Sequence, residues 1–207
     1  MASSIARSAT KREAIIAAAT DLFIERGYDG VSVDAVVQQV GGSKASIYNY
    51  FGNKEGLFKA IIENNCQKLL ESLQSAEVMN LTPRAALTVL GHQFLAVILS
   101  PKAIALHQLV VAQSPQFPEL GKMFFEAGPA RACEALEKYI KKQQQVGKLR
   151  KCNTYRAAEQ FYSMLYCVNH LKIMLDIIPP ISDEDAVDLV NDAVDTFMRG
   201  HGVRNGE

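Results

Sequence analysis

The chain has 207 residues, room for one large or two small domains, and 48% of them are hydrophobic, ample for a real core. No run reaches the eighteen or so uninterrupted apolar residues of a membrane span, and the start, MASSIARSATKRE, lacks the apolar stretch of a secretory signal, so a cytoplasmic protein with no membrane partner is expected. The 22 basic and 22 acidic residues cancel, leaving no basic footprint for a nucleic-acid partner, and the four cysteines are scattered with no CxxC pair.

Residues 8–26 read as a first helix, with Ile15, Ala19, Leu22 and Phe23 on one face and Gly27 just past its end. Arg7, Lys11 and Arg12 cluster near its start, as a phosphate-facing group or as a solvated, frayed end. The next stretch is SVDAVVQQVGGSKASIYNYFGNK, Ser32 to Lys54. Val33, Val36, Val37 and Val40 recur at spacings of three and four, Ser32 stands where its hydroxyl caps that helix, and Gly41-Gly42 ends it. Ser43 caps a second helix in which Ile47 and Phe51 point inward, leaving Lys44, Ala45, Ser46, Tyr48, Asn49 and Tyr50 on the outer face. Two short helices around a glycine turn are the pattern of a helix-turn-helix, and equally of an ordinary surface hairpin. On the first reading Lys44 neutralises a phosphate, Asn49 pairs with a base edge or a phosphate, and the tyrosine hydroxyls bond phosphate oxygens.

The run GVSVDAVVQQVGGSKASIYNYFGNKEGLF resembles the DNA-binding signature of the TetR family of bacterial transcriptional regulators. The aromatic pair around Asn49, the following Phe51, and Asn53-Lys54-Glu55 with Leu57-Phe58 carry the likeness. The resemblance implies a helix-turn-helix head over residues 1–53 and a ligand-binding and dimerisation body over 54–207. The candidate DNA contacts are Ser32, Gly42, Ser43, Lys44, Ala45, Ser46, Tyr48, Asn49, Tyr50 and Lys54.

Asn53 opens a longer helix to about Ala76, with Phe58, Ile62, Cys66, Leu69, Leu70 and Leu73 as its buried stripe. No Gly/Ser linker interrupts it, so its movement would carry the head as a rigid body, the physical basis of a switch. Thr82-Pro83 and Ser100-Pro101 each pair a capping hydroxyl with a first-turn proline. The helices they open carry Leu87, Leu90, Phe94 and Ile98, then Ile104, Leu106, Leu109 and Val110. Ser114 to Pro118 is a loop, and the helical pattern after it should kink or break at Gly128-Pro129. From Thr154 to Ile178 the chain is apolar on nearly every face, which asks for burial on more than one side. Phe161, Met164, Leu165, Val168, Leu171 and Leu175 form one stripe there. The last helix starts at Ser182, with Asp183, Glu184 and Asp185 in its first turn and Val187, Val190, Val194, Phe197 and Met198 facing inward. An all-α fold of about nine helices is expected, forming a homodimer through helices at 154–178 and 182–200. Seven basic residues and no acid occupy 138–156, while seven acids and no base occupy 176–195; they are ordinary solvated ends or two stretches that approach each other.

The segment HQLVVAQSPQFPELGKMFFEAGPARACEALEKYI resembles the C-terminal ligand domain of the AefR-like branch of the same family. That likeness implies a regulator, most simply a repressor, that binds a palindromic DNA operator as a dimer and is released by a small molecule. A pocket lined by the inward positions Phe94, Ile98, Leu106, Val110, Phe124, Phe125, Phe161 and Leu165, with His107 and Glu126 as polar contacts, would take a hydrophobic or aromatic effector. For each residue simple core packing is the competing reading. No P-loop, GxGxxG, HExxH or GxSxG occurs, and the lone Cys167-to-His170 CxxH is too sparse for zinc, so neither an enzyme nor a cofactor is expected. A helical small-molecule carrier without DNA binding is the alternative, opposed by the intact Ser43-Lys44 and Tyr48-Asn49-Tyr50.

Overall fold

A computed structural model describes residues 2–41 and 43–203, with side chains from Thr10 onward except those of Lys68, Leu73, Gln74 and Cys167. The fold is all-α, as expected, and eleven helices stand among the described residues. They are α1 (Ala2–Arg26), α2 (Val33–Val40), α3 (Lys44–Phe51), α4 (Lys54–Gln74), α5 (Ala76–Asn80), α6 (Pro83–Ile98), α7 (Pro101–Gln113), α8 (Pro118–Ala127), α9 (Pro129–Gln145), α10 (Thr154–Met174) and α11 (Asp183–His201). No helix among them is long and apolar enough to cross a membrane on its own.

The starts follow the capping chemistry. Thr82 accepts from Ala85 N–H, Ser100 Oγ from Ala103 N–H at 3.3 Å, Asn153 from Arg156 N–H and Ser182 from Asp185 N–H. Asn53 Oδ1 accepts from Gly56 N–H at 2.8 Å to open α4.

Three boundaries differ from expectation, and one break falls where it is expected. The backbone of α1 is helical from Ala2, six residues earlier than the apolar pattern that begins the reading at residue 8. Helix α4 stops at Gln74 because Ser75 turns to extended backbone, accepts from Val78 N–H and starts the one-turn α5. The expected break at Gly128-Pro129 is complete: α8 ends at Ala127, and Pro129 takes the first position of α9, where its missing N–H costs nothing. Helix α10 ends at Met174, four residues short of Ile178. Asp176 adopts φ 54°, its N–H bonds the Ile173 carbonyl at 3.0 Å and Ile177 N–H bonds the Lys172 carbonyl at 2.9 Å, a Schellman closure.

Two compact units form, Met1–Asn65 with Ala105–Gly128, and Cys66–Ile104 with Pro129–Glu207. Compactness therefore does not follow the chain boundary at residues 53 and 54. In the first unit Ile15, Ala19, Leu22 and Phe23 of α1 close over Val36 of α2, Ile47 and Phe51 of α3, and Leu57, Phe58 and Ile61 of α4. Tyr28 stacks on Phe23 at 5.6 Å and meets Phe58 edge-on at 5.5 Å. Its backbone N–H donates to Gln113 Oε1 at 2.8 Å, tying the turn after α1 to the end of α7.

In the second unit α9 lies along α10, and α11 lies along α6. Leu87, Leu90, Leu136, Tyr139, Phe161, Leu165, Val190 and Phe197 are each almost wholly buried. Gly91 lets α6 and α11 close on each other, since a Cβ there would stand 3.0 Å from Val190 Cγ1. The basic stretch reaches instead the C-terminal end of α11, beyond the acidic residues, and does so through carbonyls. Arg150 N–H donates to the His201 carbonyl at 2.8 Å, and Arg150 Nε bonds the Gly200 carbonyl, at the negative end of α11. Asp195 pairs instead with Arg84 of α6 at 2.5 Å, and that hydrogen bond and charge hold its carboxyl below the usual range. One inward assignment fails. Val187 is exposed, because the burial stripe of α11 runs through Val190, Ala193, Val194 and Phe197.

Candidate functional site

The short helix α3 is fixed from both ends and from beneath. Ser43 accepts from Ser46 N–H at 3.3 Å, Gly52 at φ 78° closes the other end, and Ile47 and Phe51 are buried in the first unit's core. With its inner face locked, the helix presents the opposite one. Tyr48 and Asn49 are exposed, Tyr48 to 49%, and Lys44 and Ala45 stand exposed at the helix start. Tyr50 lies half-buried with its ring 5.9 Å from that of Phe51. Ser32 serves as the cap of α2, accepting from Ala35 N–H at 3.1 Å. Gly42 lies outside the described residues.

Charge around this face is arranged by pairing. Lys44 Nζ sits 2.8 Å from Asp34 Oδ1, both side chains more than half exposed, so the pair is worth about 0–1 kcal/mol in water. Lys11 of α1 donates to Ser46 Oγ at 3.2 Å, and Ser46 Oγ lies 3.2 Å from Ser43 Oγ. This places a second cation beside the outer face of α3. The sequence expectation for Lys11, a phosphate-facing or solvated group near the start of the first helix, does not reach this contact with α3. The signal is the i, i+4 spacing of Lys11 to the buried Ile15, which sets the lysine just beyond the buried face of α1. Arg12 lies over the Phe51 ring at 5.5 Å. Arg7 lies outside the described side chains.

Lys54 is committed elsewhere. Its Nζ stands 4.5 Å from the centre of the Tyr28 ring and donates to the Asp29 carbonyl at 3.4 Å. Burial lowers its pKa, against the opposing pull of Asp29 and Glu55. The same ring is raised to about 12 by burial first, then by Glu55 and Glu119. Nine of the ten candidate contacts are thus described, and of these Lys54 is turned to the turn after α1.

The ten candidate effector residues divide between the two units. Leu106 and Val110 are buried in the first unit's core, where His107 stacks on Phe124 with ring centres 5.2 Å apart. Burial lowers the His107 pKa. Phe125 is 55% exposed, and exposed Glu126 pairs with Lys122 at 3.9 Å. Phe94, Ile98, Phe161 and Leu165 belong to the second unit, the last two fully buried in a packed core. Phe125 therefore does not face inward as the periodicity implies; Leu120 and Ala127 take the buried face of α8. Within the second unit a cleft of about 590 Å³ opens where α4, α5 and α6 meet, and none of the ten lines it. His170 of the CxxH is buried against Tyr166, ring centres 4.1 Å apart, and Cys167 lies outside the described side chains.

Comparison with known proteins bears on both halves of the chain. The profile described as "Bacterial regulatory proteins, tetR family" matches residues 15–61, and that described as "AefR-like transcriptional repressor, C-terminal domain" matches residues 85–203. Among curated relatives, the biofilm operon negative transcriptional regulator IcaR of Staphylococcus epidermidis is 40% identical over 53 residues, 26% of this chain and 29% of that one. The chain thus spans under a third of the length of that relative. Solved structures extend the likeness along the whole chain. One from Mesorhizobium loti MAFF303099, described as a TetR-family transcriptional regulator, superposes with a TM-score of 0.77 at 26% identity, covering 95% of this chain and 99% of that one. The flavonoid-responsive regulator FrrA superposes with a TM-score of 0.74 at 27% identity over the same shares.

Proposed function

The chain belongs to the TetR family of bacterial regulatory proteins, with an AefR-like repressor domain at its C-terminal side, and from that premise we propose that it is a ligand-responsive repressor binding a palindromic operator as a homodimer. The observation that carries this reading is the outer face of α3, where Lys44, Tyr48 and Asn49 stand free of the core on a helix capped at both ends. Its relatives are transcriptional regulators and none of those named is an enzyme.

In this reading residues 1–53 form the DNA-binding head. Helix α3 lies in the major groove, Asn49 reaches a base edge, and Tyr48, Tyr50, Ser43, Ser46 and Lys44 hold phosphates, with Lys11 added to the set. Docking exchanges the Asp34 partner of Lys44 for a phosphate, a cheap exchange for so exposed a pair. Two heads read two half-sites about 34 Å apart, one turn of DNA, or a multiple of that distance. The body, residues 54–207, pairs two copies through α10 and α11 and takes a small hydrophobic or aromatic effector, for which a flavonoid-responsive relative is the precedent. Of the ten candidate contacts, Phe94, Ile98, His107 and Phe124 are half-buried, neither locked in a core nor turned out to solvent. Effector and operator then oppose each other through one coupling free energy, which is reciprocal. The protein acts in the cytoplasm, where its operator is.

Footprinting on the DNA flanking the gene for this chain tests the reading. Two protected half-sites are expected, and Tyr48→Ala should lower affinity tenfold or more while circular dichroism and dimer mass stay unchanged, a cost of the order of a lost direct contact. Protection absent at low salt, or unaltered by Tyr48→Ala, would remove α3 from the account.

A further inference from the structure

The cleft where α4, α5 and α6 meet has a composition unlike the rest of the second unit's core. Its apolar floor is Val78, Leu81 and Val89, and its rim carries Glu71 and Glu77. Among the described residues no lysine, arginine or histidine lines it. Lys142 of α9 turns its Nζ to the Met79 carbonyl at 3.4 Å. The Glu71 carboxylate accepts from Gln67 Nε2 at 2.6 Å, a neutral donor. Gln93 also lines the cleft, and its side-chain carbonyl oxygen is buried with no donor to it. A buried acceptor left without a partner is costly, and a hydrogen-bond donor arriving in the cleft would satisfy it.

At about 590 Å³ the cleft falls in the range of small-molecule sites, about 300–1,000 Å³. Two carboxylates and the Gln93 oxygen, beside Ser72 and Ser75 and above an aliphatic floor, favour a ligand with a cationic donor at one end and an apolar body at the other. We propose that this cleft binds a protonated organic amine carrying a small aromatic or aliphatic group, its ammonium held by Glu71, Glu77 and the Gln93 carbonyl. A carboxylate or phosphate ligand is repelled by the same pair. This binding site is independent of α3 and of the operator reading, since all its groups lie within the second unit.

Calorimetric titration of the full chain with 2-phenylethylammonium, 2-phenylethanol and 3-phenylpropanoate decides the matter. The three probes share an apolar body and differ in charge. The ammonium should bind about tenfold more tightly than the alcohol, with the carboxylate weakest, and the preference should shrink as ionic strength rises. The double variant Glu71→Gln, Glu77→Gln changes only exposed carboxylates and should fold unchanged. In it the ammonium and the alcohol should bind within about twofold of each other. Equal binding of ammonium and alcohol to the unaltered chain, or an ammonium affinity indifferent to the double variant, would overturn the proposal. Gel shift on the same preparations reads DNA binding separately. Loss of one activity with the other intact therefore identifies which of the two readings has failed.

Discussion

At the scale of single residues, the chemistry of α3 turns on what each cation is already holding. Lys44 holds Asp34 across open solvent, whereas Lys54 is half-buried over the Tyr28 ring with Asp29 behind it. The first is exchangeable and the second is part of the turn that joins α1 to α2. Lys44→Ala should therefore weaken operator binding nearly equally across DNA sequences and lower the slope of log affinity against log salt by about one. Gel shifts over a salt series measure that slope, and an unchanged slope would mean that Lys44 meets no phosphate. The sequence placed Lys44 on an exposed face correctly, because a capped eight-residue helix with two buried side chains has one outer face to offer. It treated Lys54 the same way, because the ring that captures that lysine lies 26 positions earlier in the chain. Only the fold brings the two together.

At the scale of elements, most helix starts were legible and several ends were not. A hydroxyl followed by proline, or an asparagine before a helical run, announces a start through local hydrogen bonds to the next turn. The stop at Gln74 and the Schellman closure at Asp176 carry no glycine; the first is marked only by Ser75, the cap of the next helix, and the second by nothing local. Close approach of two helices is likewise silent in the sequence. Gly91 of α6 faces Val190 of α11, and a Cβ would meet two methyl carbons at 3.0 and 3.3 Å. Val190 is fully buried and β-branched, so it has no other rotamer to escape into. Gly91→Ala gains up to about 1 kcal/mol of helix propensity. It loses about 1–3 kcal/mol to overpacking, and the loss should win. Thermal unfolding should show a lowered midpoint, with Gly91→Ala, Val190→Ala less unstable than the sum of its parts. A raised midpoint in the single variant would mean the helices have slack at this crossing.

At the scale of the whole molecule, α10 and the turn after it carry an apolar strip that a single chain leaves uncovered. Val168, Leu171, Leu175 and Ile177 are each more than half exposed, while Phe161 and Leu165 of the same helix are fully buried. On the homodimer reading proposed above, this strip is where a second copy of the chain would be seated, since self-association of two identical faces is the simplest closed arrangement. Leu171→Glu should give a folded monomer by sedimentation equilibrium, with operator affinity reduced by far more than any one-residue DNA contact accounts for, since the second half-site is lost. A Leu171→Glu dimer that still binds DNA normally would place the interface elsewhere.

By itself the sequence determined the all-α class, the helix-turn-helix and its outward face, and the caps that start most helices, because these rest on contacts within one or two helical turns. It also announced that α10 was too apolar for one-sided burial, although it assigned Val187 and Phe125 to interiors they do not occupy. Periodicity says that a helix has an apolar side; it does not say which neighbour covers each position along that side. The pairing of Lys54 with Tyr28, the contact of Lys11 with Ser46, the separation of the effector candidates into two cores and the acidic cleft above Val78 all required distant segments to be laid together. Those relations depend on packing between segments well beyond one or two helical turns apart, and packing is decided in three dimensions.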